Sequence, residues 1–332
     1  MKHLSILVPR GNAIVDTIIG SMNMFQMANN YYRRNLGNEE DLYQIDLVGI
    51  EKEPLVYNNY LSLTPTRALK DVEKTDLIIV AGIVGNMDKQ IELNRPFIDW
   101  MRMQRVAHNA EIASLCRGAF LLAETGLMHG KTCATHWITH NIFKEKYPDI
   151  KLLPDKIISE DNGIYSSGGA YSFLSLILYL IEKFYGRETA IWCSKVAEIE
   201  FDRIDQNQFV IFNGQKDHED HEIIEVQEFI ESHFTEKITI DALAQIVSTS
   251  SRNLIRRFKK ATQNTPIEYM QRVRIEAAKK ALESTTQSIL EVMLSIGYND
   301  DKTFRQLFKR YAGLTPIEYR NKYNREMALI SK

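Results

Sequence analysis

The chain has 332 residues, 44% apolar and 25% charged, the balance of a globular protein long enough for two domains. Cysteines at 116, 133 and 193 form neither a disulfide framework nor a C-x-x-C zinc spacing, no apolar run reaches the roughly 18 residues of a membrane span, and no motif asks for a metal or cofactor. The net charge of −2 is uneven: residues 223–332 hold 18 Lys and Arg against 13 Asp and Glu while the first 222 hold 23 against 30, a basic module behind an acidic body that suits a polyanion partner.

The opening "MKHLSILVPRG" is too short an apolar stretch for a secretory signal and runs directly into a strand pattern, so a cytoplasmic protein with reduced thiols is expected. Through residues 1–204, "HLSILVP", "YQIDLVGI", "DLIIVAGI" and "EIASLC" read as short strands, with helices predicted over 91–108 and 119–125. "DKIISEDNGIYSSGG" reads as a further strand, ahead of a strongly apolar helix over 170–185 and another through "ETAIWCSKVAEI". This alternation predicts an α/β domain, a parallel sheet with helices on both faces. Residues 205–222 turn polar and acidic around Gly214 and are expected to form a linker. From 223 to 325 the strand pattern vanishes, and "IIEVQEFIESHF" and "IDALAQIVS" space apolar residues by three and four, which predicts an all-α domain.

That domain repeats itself. "TPIEY" occurs at 265–269 and at 315–319, and an offset of fifty also lays "RFKKATQNTPIEY" on "LFKRYAGLTPIEY". The same offset pairs Ile240 with Leu290, Leu243 with Met293 and Ile246 with Ile296. Each unit reads as a short helix, a tight turn ("VSTSS", "GYND"), a second helix and then TPIEY, the plan of a helix-turn-helix. In TPIEY, Thr265 and Thr315 are expected N-caps, Pro266 and Pro316 sit in the first turn, and Glu268 and Glu318 complete capping boxes. In the second helices, Leu254 with Phe258 and Phe304 with Phe308 share the inward face at i,i+4. Arg252 with Arg256 and Lys302 with Gln306 take another face. Arg reads guanine bidentately and Gln reads adenine, so these four are the expected base readers. Arg257, Lys259, Lys260, Arg305, Lys309 and Arg310 flank them and suit phosphate oxygens. A basic helical bundle alone would not need two units with matched faces.

On "SRNLIRRFKK" and "ILEVMLSIGYNDDKTFRQLFKRYAGLTPIEYR", residues 223–325 resemble the DNA-binding domain of the AraC/XylS family of bacterial transcription regulators. The resemblance implies two helix-turn-helix units joined by a long helix, with both recognition helices in successive major-groove segments of double-stranded DNA. Asp300 and Asp301 stand where the family more often has uncharged polar residues.

In the first domain, "EIASLCRGAFLLAETGLMHGK" puts Cys116 on a strand-to-helix turn, where unsatisfied helix N–H groups favour the thiolate. His136, in "CATHW", is a possible base for nucleophilic catalysis; the alternative is a buried structural cysteine and a capping histidine. On "ASLCRGAFLLAETGL", "THW" and "SSGGAYSFLSLILYL", residues 1–204 resemble the PfpI-like branch of the class I glutamine amidotransferase-like fold. The family's supporting carboxylate near the first strand falls on or beside Thr17, with Asp16 one place off, and its frequent aspartate after the "SGG" turn is Ser175. Without an orienting carboxylate the imidazole and thiolate are poorly fixed, so no catalytic residue is assigned. Cys116, Arg117 and His136 are expected instead to line a ligand pocket, with Arg117 facing an anionic group and Cys116 open to oxidation.

The expected protein is therefore a sequence-specific transcription regulator. Its first domain senses a small effector or forms a homodimer, and RNA polymerase is a possible partner. The alternatives are a PfpI-like Cys-dependent amidase, hydratase or peptidase with an accessory DNA-binding module, and a dimer scaffold that binds DNA constitutively.

Overall fold

The computed structural model describes residues 1–201, 205–216 and 218–324, which fall into two units, Met1–Gln206 and Asn207–Lys332. In chain order the first unit contains β1 (Lys2–Leu7), α1 (Val15–Arg34), β2 (Tyr43–Gly49), β3 (Leu55–Tyr57), β4 (Leu61–Leu63), β5 (Arg67–Ala68), β6 (Leu77–Val80), α2 (Met87–Leu93), α3 (Arg95–His108) and β7 (Glu111–Ser114). It continues with α4 (Ala119–Glu124), β8 (Thr132–Cys133), α5 (His140–Lys146), β9 (Lys151–Leu152), β10 (Ile158–Asp161), β11 (Ile164–Ser167), α6 (Phe173–Tyr185) and α7 (Arg187–Val196).

Seven strands form one sheet in the order β10-β11-β7-β6-β1-β2-β5, parallel except for the β10–β11 hairpin. Both faces are buried, as a parallel sheet requires. The period of two sorts β6 between them. Leu77 and Ile79 join the core under α1, α6 and α7, whereas Ile78 and Val80 join the core under α2, α3, α4 and α5. All four predicted strand runs before residue 120 are present.

The predicted helix over 91–108 is two helices. Asn94 ends α2, and α3 begins with Pro96 in its first turn, where proline costs nothing and cannot continue the preceding helix. "DKIISEDNGIYSSGG" is likewise two strands, since Asn162 (φ 51°) and Gly163 (φ 72°) make the turn that joins β10 to β11, the conformation Asn-Gly favours in a hairpin.

The second unit is helical: α8 (His221–His233), α9 (Ile240–Ile246), α10 (Ser251–Thr262), α11 (Pro266–Ser284), α12 (Ile289–Ser295), α13 (Asp301–Ala312) and α14 (Pro316–Tyr323). It has two small cores. Leu243, Leu254, Phe258 and Tyr269 pack with Ile223, Val226 and Ile230 in one; Val292, Met293, Phe304, Phe308 and Tyr319 pack with Ile275, Ala278 and Leu282 of α11 in the other. Residues 207–216, expected to be linker, lie against this unit. Lys279 Nζ donates to Val210 O at 2.6 Å, and Phe212 packs edge-on against Tyr269 at 5.1 Å between ring centroids. No described helix is long and apolar enough to cross a membrane.

Candidate functional sites

The repeat is built as two helix-turn-helix units. Both TPIEY copies form complete capping boxes, with Thr265 and Glu268, and Thr315 and Glu318, satisfying each other's backbone N–H groups. At an offset of fifty the recognition helices α10 and α13 superpose in every landmark. Ser250 and Asp300 are N-caps, Leu254/Phe258 and Phe304/Phe308 are fully buried, and Gln263 and Gly313 close the helices in the left-handed conformation. The preceding helices do not follow that offset. N-caps Thr239 and Ser288, the buried pairs Leu243–Ala244 and Val292–Met293, and the positive-φ residues Ser248 and Gly297 all differ by 49. The second turn is thus one residue longer, and the pairing of Leu243 with Met293 is corrected to Leu243 with Val292. Gly297 serves that turn with φ 81°, and any Cβ there would strike the backbone of Thr235.

Opposite the buried faces, Arg252, Arg256, Lys302 and Gln306 are all exposed. Arg256 Nη2 donates to Asn253 Oδ1 at 2.8 Å, which steadies the guanidinium on the helix surface. The six expected phosphate contacts divide. Lys259, Lys260, Lys309 and Arg310 are exposed. Arg257 is instead held by Asp220, at 2.5 and 3.0 Å, and by Glu222, and Arg305 Nε reaches both carboxylate oxygens of Asp301 at 2.7 and 2.8 Å. The unusual aspartates now have roles: Asp300 caps α13 by accepting from Thr303 N at 2.8 Å, the Thr303 hydroxyl and then that N–H hold its carboxyl below the usual range, and Asp301 neutralises Arg305. The partners of Arg257 lie 35 and 37 residues upstream, inside the acidic "DHEDHE" stretch, too far for periodicity to pair them.

In the first unit β7 delivers Cys116 to a sharp elbow. Its φ is +53°, a 3-10 turn follows over Cys116–Gly118, and then α4 begins. Gly118 lets this turn approach β6, because a Cβ there would sit 2.6 Å from the carbonyl oxygens of Val80 and Ala81. Ala170, φ +49°, is a second strained residue in the turn after β11. Such conformations cost about 1–3 kcal/mol each and persist where the surroundings impose them.

Cys116 is fully buried. Burial pushes its thiol upward in pKa, against the opposing pull of the Ala170 and Arg117 N–H groups and the Arg117 guanidinium. The expected thiolate is therefore corrected: desolvation outweighs the helix N–H groups. His136 is moved the other way, down to about 4, by burial first and then by Arg117 and His140. Its Nδ1 accepts from Ile138 N at 3.2 Å, which places the ring proton on Nε2 and spends the one lone pair a general base needs. The ring lies against Gly169, where any Cβ would overlap it.

At neutral pH the pair is thus a thiol and a neutral imidazole. Thr17 is committed elsewhere, donating to Ile14 O at 2.6 Å and accepting from Gly82 N at 3.0 Å, and Asp16 accepts from Tyr171. Arg117 retains a buried Nε without a hydrogen-bond partner. Sequence reasoning missed Ala170, whose strain has no local signature, and Thr135, whose buried hydroxyl donates to Cys116 O at 2.9 Å.

Comparison with known proteins covers both units. The DJ-1/PfpI family matches residues 30–183, and a helix-turn-helix domain matches residues 243–322. The HTH-type transcriptional regulator GbdR of Pseudomonas aeruginosa is 26% identical over 281 residues, 84% of this chain and 75% of its own length. Isonitrile hydratase of Pseudomonas putida is 28% identical over 149 residues, 44% of this chain and 62% of its own. A crystal structure of an AraC family transcriptional regulator from Pseudomonas putida shares the fold, with TM-score 0.50 and 18% identity, over 59% of this chain and all of that one.

Proposed function

We infer the function from a chain that joins a DJ-1/PfpI family domain to an AraC-type helix-turn-helix domain: it is a sequence-specific DNA-binding transcription regulator. The observation that carries this reading is the duplicated recognition helix, with exposed Arg252, Arg256, Lys302 and Gln306 opposite fully buried aromatic and aliphatic faces. The likeness to GbdR supports it over a length greater than the first unit alone. Such a protein works where the DNA is, in the cytoplasm.

The first domain acts as a sensor or homodimerisation module, and a small effector occupies the Cys116 pocket with its anionic group on Arg117. Binding that favours one arrangement of the chain changes DNA affinity by linkage, and the bound regulator acts on RNA polymerase. A neutral thiol, and an imidazole whose lone pair is already used, favour binding over turnover, although the likeness to isonitrile hydratase makes turnover the reading to test against. Purified protein mixed with genomic fragments should enrich a defined duplex. Enrichment of no sequence would sink the regulator reading, and a turnover abolished by Cys116→Ala with DNA binding intact would revive the enzyme.

A further inference from the structure

Gln206 is the last residue of the first unit, and it is 2% exposed. Its Nε2 lies within reach of three carbonyls, Thr135 at 3.2 Å, Pro154 at 3.0 Å and Lys156 at 3.2 Å, while its backbone N–H donates to Asp155 O at 2.9 Å. Two amide hydrogens therefore serve three acceptors. Its Oε1 is buried without a donor and faces Gly168, 3.1 Å from where a Cβ would stand. A buried acceptor left unsatisfied is a cost that folds seldom carry without use.

What Gln206 touches adjoins Cys116 and His136. Thr135, whose carbonyl it holds, donates its hydroxyl to Cys116 O and precedes His136. Gly168 begins the turn through Gly169, against which the His136 ring lies, to the strained Ala170.

Four residues later the chain is fastened again, now within the second unit. Val210 O accepts from Lys279 Nζ at 2.6 Å, Phe212 N donates to Glu276 Oε2 at 3.3 Å, and Lys279 is 4% exposed. Lys279 and Glu276 belong to α11, the helix that joins the two helix-turn-helix units. The same strap reaches both of them. Gln208 accepts from Lys322 on α14 at 2.6 Å, and Gln215 accepts from Asn264, just after α10, at 2.7 Å. Four residues span at most about 14 Å, so the segment that joins the two fastenings is short.

We propose that Gln206 is the positioning residue that couples the Cys116 pocket to DNA binding: rearrangement of Thr135 or of the Gly168–Ala170 turn re-sorts its amide hydrogen bonds, and the short strap carries the displacement to α11. This rests on the regulator reading above. Cys116 is fully buried and reacts only from an opened form, so its alkylation rate follows an opening equilibrium to which reciprocal coupling applies, and the effector need not be known.

The probe is the tightest duplex recovered from genomic fragments, and the readout is the rate at which iodoacetamide alkylates Cys116, followed by peptide mass spectrometry. Saturating duplex should change that rate in the wild-type chain by at least about fivefold, the lower end of ordinary allosteric coupling. Gln206→Ala should reduce the change to under about twofold while duplex affinity is kept. Because that variant could loosen the first unit, a second one inserts Gly-Ser-Gly-Ser between Gln206 and Asn207, which lengthens the strap and deletes no side chain; it should uncouple equally. An unchanged alkylation rate in the wild-type chain with duplex bound, or full coupling in either variant, overturns the proposal. Failure of the wild-type chain to bind any duplex in a gel-shift assay overturns the regulator reading instead.

Discussion

Replacing Lys279 by Met tests whether residues 207–216 belong to the helical unit. The ammonium is almost fully buried and has two partners, Val210 O at 2.6 Å and Glu276 at 2.9 Å, with the Glu276 side chain only 13% exposed. Breaking a buried pair from one side costs about 3–5 kcal/mol, chiefly because the remaining charge is stranded. Glu276 keeps a donor in Phe212 N and some contact with water, so the expected loss is nearer about 2–3 kcal/mol. The double variant Glu276→Gln/Lys279→Met strands no charge and retains an acceptor for Phe212 N, so it should recover all but about 1 kcal/mol. At roughly 3–5 °C per kcal/mol for a unit of this size, Lys279→Met lowers the melting temperature by about 6–15 °C. The assay separates the units, because Trp100, Trp137 and Trp192 all lie in the first. Helical ellipticity should melt early while tryptophan fluorescence melts as in the wild type. A loss below about 0.5 kcal/mol, or a double variant no better than the single, would refute the clasp.

Arg256→Ala should cost about 1–3 kcal/mol at a selected duplex and relax its sequence preference, whereas Lys260→Ala should weaken all duplexes about equally and flatten the salt dependence by about one. Gel shifts across salt and sequence distinguish the two. Thr265→Ala and Thr315→Ala each remove the N-cap of a complete capping box and should each cost about 1 kcal/mol in helical melting; a neutral result at both positions would contradict the start-signal reading of TPIEY. The pKa of His136 near 4 in the folded chain lies below its ordinary 6.5, so the unfolded chain binds a proton first. Stability of the first unit should therefore fall as pH drops from about 6.5 to about 4 and level off below. The upper bound is about 3 kcal/mol, and solvent screening at this partly exposed ring brings it well under that. Urea titrations followed by tryptophan fluorescence should show this slope in the wild-type chain and lack it in His136→Gln.

The sheet and the recognition helices were legible because their signals are local. "LIIV" between turn residues reads as a strand buried on both faces, and Leu254/Phe258 recurs as Phe304/Phe308 at the same offset that carries TPIEY. Two errors came from punctuation read too lightly: Asn94-Arg95-Pro96 splits one predicted helix, and Asn162-Gly163 splits one predicted strand. The one-residue difference between the two turns was hidden, since α9 and α12 are short and apolar at several registers; only the caps and buried pairs fix the offset at 49. The state of Cys116 was out of reach for another reason. The helix N–H groups that favour a thiolate follow from sequence order, but the burial that outweighs them comes from tertiary packing, and one of the opposing donors, Ala170 N–H, itself lies more than fifty positions away.

The strain at Cys116 and Ala170 bears on why the elbow exists in a chain whose Cys–His pair is neutral. A catalytic elbow needs a nucleophile that is charged or quickly deprotonated, hence a base with a free lone pair and a group to orient it. Here Nδ1 of His136 is used as a helix cap, and Thr17, on or beside which the family resemblance places the orienting carboxylate, carries a hydroxyl already bound to Ile14 and Gly82. A sensor needs none of this. It needs a site whose empty and filled forms differ in shape, and two positive-φ residues in facing turns supply this, because relief of either conformation moves backbone as well as side chain. The backbone available to move is the Thr135–His136 segment and the Gly168–Ala170 turn, the two stretches that Gln206 holds or faces. A ligand can shift the chain only by the difference in its affinity for the two forms. The anionic group proposed for the effector should therefore engage Arg117, whose buried Nε has no hydrogen-bond partner, and that contact would supply the difference.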